Sequence, residues 1–258
     1  MLTSLEWRKY YEENAHSLLE IPWDIGHELT DEEQRAIASS VQDFQAGESS
    51  EGRHLFQYAK DYAERTGDHE YVEAIRLFIA EEQRHARDLA YFLQINGMPL
   101  VKTTFTDGVF RRLRQFLGGL EISIGVLVTA EIIAKVYYAA LKDATNSVVL
   151  QTLCSQILRD EVKHVEFQVE RLGILRARRN WLLLKGTVAT QRFLFWGTCI
   201  VVWIFHNKVF RKSGYNFGDF WWANWIEFEE AFQMAQDVIE RLKSDNNLIG
   251  LQQNFDNE

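Results

Sequence analysis

Apolar positions along this chain fall three and four residues apart over long stretches, the interval that keeps one stripe of a helix facing a partner. Thr30 followed by Asp31, Glu32 and Glu33 forms an N-cap with an acidic first turn, and it opens a helix whose stripe runs Ile37, Val41, Phe44, Glu48, Glu51, Leu55, Tyr58 and Tyr62. A break at Thr66, Gly67 and Asp68 leads to a second stripe, Ile75, Phe78, Glu82, His85, Leu89 and Phe92, closed by Asn96, Gly97, Met98 and Pro99. A third helix beginning near Asp107 carries Leu120, Ile124, Leu127, Glu131, Ala134, Tyr138 and Leu141; it is apolar on most other faces too, which predicts burial on several sides. After a polar break from Asp143 to Ser147, a fourth stripe holds Leu150, Cys154, Ile157, Glu161 and His164. Ahead of all these, residues 1–29 form a short amphipathic lead helix broken at Pro22.

The pattern predicts an all-α chain in three parts: a lead segment over residues 1–30, a four-helix bundle over 31–172, and a helical extension over 173–258 packed on the bundle. The eleven or so residues from Asn96 to Asp107 reach ~36 Å when extended. That is the length of a helix of about 24 residues. A crossover along the bundle therefore fits, the connection that a four-helix bundle with one long crossover uses.

Composition narrows this picture without redirecting it. An apolar fraction of 47% with only 2 prolines supports a large helical core. A net charge of -9 argues against a whole surface built for nucleic acid, so no nucleic-acid partner is expected. Cys154 and Cys199 are too few and too far apart for a disulfide framework or a metal knuckle, which fits a reducing compartment. The first residues show neither a basic stretch nor an apolar run of the kind a secretory signal needs, and the expected location is the cytoplasm. From Arg171 to Phe217 the chain changes character, with nine Lys or Arg, no Asp or Glu, and Trp181, Trp196 and Trp203 among apolar residues. Its longest uncharged run, Phe193 to Asn207, is shorter than the ~20 residues of a spanning helix. Helices covering the bundle or a homodimer interface are the expectation here; peripheral membrane contact through residues 171–222 is the competing one.

The chemistry sits where glutamates interrupt the apolar stripes. Glu82 with His85, and Glu161 with His164, are each three residues apart on one helix, so each pair presents a carboxylate and an imidazole to the same point. Each has a glutamate upstream, Glu48 by 34 residues and Glu131 by 30. Folding each half as an antiparallel helix pair brings four carboxylates and two imidazoles together, a donor set suited to iron or manganese. Two other pairs share the same spacing, Glu13 with His16 and Glu51 with His54, but neither has a matching partner elsewhere. Burying the central groups without a cation would cost many kcal/mol per unpaired charge.

At these residues the chain resembles known families. The run Ala46, Gly47, Glu48, Ser49, Ser50 and Arg53, continuing to Glu82, His85 and Ala86, is similar to the first half of a rubrerythrin di-iron domain. Glu81 to His85 and Asp160 to His164 resemble the paired motifs of acyl carrier protein desaturases and of the ribonucleotide reductase small subunit. The resemblance spans roughly residues 31 to 172 and points to the ferritin-like superfamily. It implies a pair of iron ions, or manganese, or one of each, held by Glu48, Glu82, His85, Glu131, Glu161 and His164. It also implies that Glu81 and Asp160 each accept a hydrogen bond from the ligand histidine of the opposite helix pair, which fixes the tautomer. Glu51, one turn from Glu48, is an additional or switching ligand by position, or else pairs with Arg53 or His54. Two features depart from rubrerythrins: Ala134 stands where they carry a further glutamate, and no rubredoxin-type cysteines are present.

The implied activity is an oxidoreductase that activates dioxygen or peroxide, drawing on an external electron donor. An apolar small-molecule substrate follows if Phe44, Tyr58, Phe78, Tyr138 and Phe167 line a channel rather than the core. The alternative is a ferroxidase or metal-handling protein with no organic substrate.

Overall fold

A computed structural model describes residues 1–49, 52–101, 119–177 and 179–255, with side chains through residue 244. Regular structure among these residues is entirely helical: α1 (Ser4–Asn14), a 3-10 turn (Trp23–Ile25), α2 (Asp31–Glu48), α3 (Arg53–Thr66), α4 (His69–Ile95), α5 (Leu120–Asp143), α6 (Val148–Ala177), α7 (Trp181–Lys212) and α8 (Phe217–Phe255). Glu51 and the expected start of the third helix near Asp107 lie outside the described residues.

Local chemistry sets most of the boundaries. Thr30 caps α2 by accepting from the Glu33 backbone N–H while the Glu33 carboxylate returns the interaction, and Thr3 with Glu6 does the same for α1. Gly67 ends α3 in the left-handed region at φ 78°, and the Asp68 side chain then accepts from the Tyr71 N–H to start α4. Three expectations are corrected. The lead helix ends at Asn14, well before Pro22, which instead precedes the 3-10 turn. The first long helix is two helices, because the chain breaks after Glu48 and restarts at Gly52 with φ 59°. Gly52 lies against α4, where an added Cβ would come within 2.6 Å of Ile79 Cδ1, so both its backbone angle and the space around it require glycine. Third, α6 runs without a break past residue 172, the expected edge of the extension, to Ala177.

Tight turns at residues 67–68 and 144–147 make α3 with α4, and α5 with α6, neighbours in space. Helices α2 and α3 both pack on α4; α4 also meets α6, and α3 meets α5. α5 is buried on nearly every side, as its all-round apolar sequence requires. Its neighbours are α6, then α7 and α8, whose inner faces cover it. Close packing of α8 on α6 uses Gly173, where a Cβ would approach Val238 to 2.7 Å. α1 lies over α4 and reaches α6 through Trp7, whose Nε1 donates to Glu170 at 2.8 Å, and through Ser4, which accepts from Arg171 at 2.7 Å.

Among the described residues, two helices are long and apolar enough to cross a membrane by length and composition, α5 and α7. They differ in surroundings: 78% of the most apolar window of α5 is buried inside the fold, against 28% for α7. The uncharged run that the sequence offers in α7 is short, yet its scattered basic residues leave the helix as a whole strongly apolar.

Candidate metal centre

Glu48 stands in the last turn of α2, Glu82 and His85 in the middle of α4, Glu131 at the middle of α5, and Glu161 with His164 in α6. Their side chains meet. Donor atoms of Glu82, Glu131, Glu161 and His164 lie within 4.8 Å of one another, and those of Glu48, Glu82 and His85 form a second such group. Glu82 belongs to both. These buried groups could hold a metal ion, and their oxygen and imidazole donors suit a hard or borderline divalent cation. Of the remaining pairs with the same spacing, Glu13, His16 and His54 are exposed.

The inner and outer faces of the two imidazoles are distinct. His85 Nε2 donates to Asp160 Oδ2 at 3.0 Å, and His164 Nε2 donates to Glu81 Oε2 at 3.0 Å. An ionised carboxylate only accepts, so the proton belongs on Nε2 in both rings and Nδ1 is the inward nitrogen. His85 Nδ1 lies 3.8 Å from Glu82 Oε1 and 3.7 Å from Glu161 Oε1; His164 Nδ1 lies 3.0 Å from Glu82 Oε1 and 3.5 Å from Glu161 Oε2. Yet neither Nδ1, nor Glu82 Oε1, nor either oxygen of Glu161 has a hydrogen-bond partner among the described residues, although all are buried. Orphaned polar atoms converging on one point are costly in a protein interior unless a cation joins them.

Electrostatics carry the same message. Burial and the neighbouring Glu82 push the Glu48 carboxyl up to about 8, and burial pushes Glu161 up to about 7. Glu82 and Glu131 are raised as well, by burial first and then by a carboxylate neighbour, Glu131 for the one and Glu161 for the other. Burial opposes protonation of His164, but the carboxylates of Glu161, Glu81 and Glu82 outweigh it and hold the imidazole well above its ordinary value. Asp160 behaves oppositely to the inner carboxylates. Burial disfavours its charge, but His85, Arg84 and Gln156 hold it well below the usual carboxylate range. The centre is thus a ring of carboxylates that resist ionisation, set beside an Asp160 whose charge is held by its partners.

That outer layer contains residues the sequence reading missed. The Asn14 amide donates to Glu81 Oε1 at 2.7 Å and to Asp160 Oδ1 at 2.9 Å, linking the two acceptors of the two histidines through one buried side chain from α1. Its signal was positional: Asn14 continues the Trp7 and Tyr11 stripe, which makes it a polar residue on a buried face. Gln156 donates to both oxygens of Asp160 at 2.9 Å while accepting from the Leu19 N–H at 2.7 Å. Arg84 and Lys163, which the sequence offers either as cations for Glu81 and Asp160 or as residues facing water, differ: Arg84 pairs with Asp160 at 2.8 Å, and Lys163 pairs with Glu166. On the α2 side, the Tyr138 hydroxyl donates to Glu48 Oε1 at 2.6 Å. Of the other aromatics considered as a channel lining, Phe78 packs edge-on to His164, Phe44 stacks on Tyr137, and Phe167 sits among Trp7, Tyr11 and Tyr71. A further buried polar group, in which the Tyr137 hydroxyl and His206 Nδ1 both contact Ser40 Oγ, lies beside Phe44 and had no counterpart in the sequence reading.

Comparison with family models, with curated proteins and with solved structures finds no match to this chain.

Proposed function

We propose that this chain is a ferritin-like di-metal carboxylate oxidoreductase, in which Glu48, Glu82, His85, Glu131, Glu161 and His164 would hold a pair of iron or manganese ions. One observation carries the proposal. Six side chains from four helices turn unpartnered or charge-resisting atoms toward a common point, while the far nitrogens of both histidines are locked by carboxylates. A purely structural polar cluster would satisfy its own hydrogen bonds, because each buried orphan costs about 1–3 kcal/mol.

A reduced iron pair, when bound, supplies electrons to dioxygen or peroxide. The chain's own residues shape that chemistry in three ways. Asp160 and Glu81 keep each imidazole oriented with Nδ1 inward and raise its basicity. Phe78, Ile132, Ile157 and Phe167, all buried, exclude bulk water around the cluster. Tyr138 holds the Glu48 carboxylate by donating to one of its oxygens. Electrons would come from an external donor, and an apolar small molecule would be the substrate.

The test is metal analysis of the purified protein from iron-replete cells beside the His85→Ala/His164→Ala double variant, followed by oxygen uptake after anaerobic addition of ferrous iron. Two ions per chain, lost in the variant, together with oxygen uptake that depends on an added reductant, are expected. No transition metal in the unaltered protein would end the proposal. Loading far beyond two irons per chain would replace it with iron handling.

A further inference from the structure

We propose that the outer face of α7 is a membrane-docking surface, which seats the protein lengthwise on an anionic lipid leaflet.

The first observation is a stripe. Leu182, Phe193, Trp196, Ile200 and Ile204 are all exposed and recur at helical spacing, with Phe193 at 76% and Ile204 at 60% exposure. They lie along a single helix of 32 residues, ~48 Å from end to end. Trp222 of α8 is exposed as well. Scattered exposed apolar residues are ordinary on a protein surface, but a continuous row along several turns of one helix marks a face that meets something apolar.

The opposite face settles the orientation. Phe195, Cys199, Val202, His206, Val209 and Phe210 are buried, and α7 packs on α2, α5 and α8. One side of the helix is therefore committed to the fold from Phe195 to Phe210. It lies on a surface rather than passing through one, as an interfacial helix does.

Charge selects the occupant. α7 contains no Asp or Glu, and Lys185, Lys208 and Arg211 are exposed towards its two ends. The stretch from residue 171 to 217 is wholly basic in its charges, although the chain stands at -9. A second copy seated on this face about a two-fold axis would set these cations against their own equivalents, with no acidic residue on the helix to neutralise them. Anionic headgroups neutralise them, while the acyl boundary accepts the apolar stripe. Exposed tryptophans at positions 181, 196 and 222 suit that boundary, where an amphipathic ring meets both phases.

Flotation of the full chain with vesicles tests this directly. Vesicles of phosphatidylcholine mixed with phosphatidylglycerol are expected to carry the protein at low salt and to lose part of it at high salt; phosphatidylcholine alone should carry much less. Phe193→Glu/Ile200→Glu is expected to lower the bound-to-free ratio by about tenfold or more, and Lys208→Glu/Arg211→Glu to remove the preference for phosphatidylglycerol. All four positions are exposed, so the helical circular dichroism should be unchanged. Absence of flotation with either vesicle overturns the proposal, as does flotation that the Phe193→Glu/Ile200→Glu variant leaves intact. Sedimentation velocity without lipid supplies the last outcome: a dimer that this variant disperses would show the face to be an interface between copies.

Discussion

α5 and α7 are built from nearly the same materials and live in opposite surroundings. Both are long, apolar and poor in charge, yet α5 is enclosed by its neighbours while α7 turns a row of large apolar residues outward. The one acidic residue at the centre of α5, Glu131, is buried and meets two other carboxylates, Glu82 and Glu161, and the imidazole of His164. The one buried histidine of α7, His206, meets a serine hydroxyl and is pushed down to about 4 by burial. Composition tells how much apolar surface a helix has. What covers that surface depends on which helices arrive beside it.

The strongest contrast should come from placing the same charge on each helix. Ile132→Asp puts an unpaired carboxylate at a fully buried position of α5 and is expected to cost about 4 kcal/mol or more, whereas Ile200→Asp on the exposed face of α7 should stay within about 0.5 kcal/mol. Urea unfolding of both variants measures this, and similar losses would mean that α7 is as enclosed as α5.

Next in size is the loss of a donor. Glu131→Ala should leave the helical content intact while reducing bound metal to one ion per chain or fewer, read by plasma mass spectrometry. Retention of two ions would remove Glu131 from the centre.

A smaller loss is expected from Asn14→Leu, which leaves both helices untouched and removes the amide that joins Glu81 to Asp160. Manganese titrated into the metal-free protein should bind about 10-fold to 100-fold more weakly in this variant, with the helical spectrum unchanged. Equal affinity would make α1 a lid with no part in positioning the histidines.

The smallest effect is a shift in stability with pH, of opposite sign for the two regions. Around α5, Glu48 and Glu161 are raised in the folded state to about 8 and about 7, so the folded metal-free protein binds protons there that the unfolded chain has released. Their contribution is present at low pH and is lost as pH rises toward 8. His206 is lowered to about 4, so its contribution is present above the ordinary histidine range and is lost as pH falls toward 4. Metal-free protein should therefore gain about 5 °C in melting temperature from pH 8 to pH 6. The gain should vanish in metal-loaded protein, and His206→Gln should flatten the acid side of the curve. A metal-free melting temperature that rises with pH over this window would show that the inner carboxylates are ionised and paired.

Much of the fold was legible because its cues are local. The Thr30 cap, the Gly67 and Asp68 break, the Asn96 to Pro99 stop and the polar turn after Asp143 depend on neighbouring residues alone, and each lies where the structure begins or ends a helix. The break after Glu48 was hidden, because the apolar stripe continues at the right interval across it and only the position of Ile79 shows why Gly52 must be glycine. In the site, the doubled spacing of Glu82 with His85 and Glu161 with His164 made the meeting of these side chains readable. The Asn14 amide and the Tyr138 hydroxyl were not readable, since Asn14 reaches its partners across 67 and 146 residues and Tyr138 reaches Glu48 across 90.

The sequence by itself determined that this chain is helical, where most helices start and stop, and which acidic and imidazole groups share a helical face, because backbone hydrogen bonding and side-chain periodicity act within a few residues. Only the tertiary structure decided that Asn14 joins Glu81 to Asp160, that α1 closes over both, and that α5 is enclosed while α7 is not. Those outcomes depend on which surfaces meet in space, and the free energy that selects among them comes from burial and charge pairing between residues far apart in the chain.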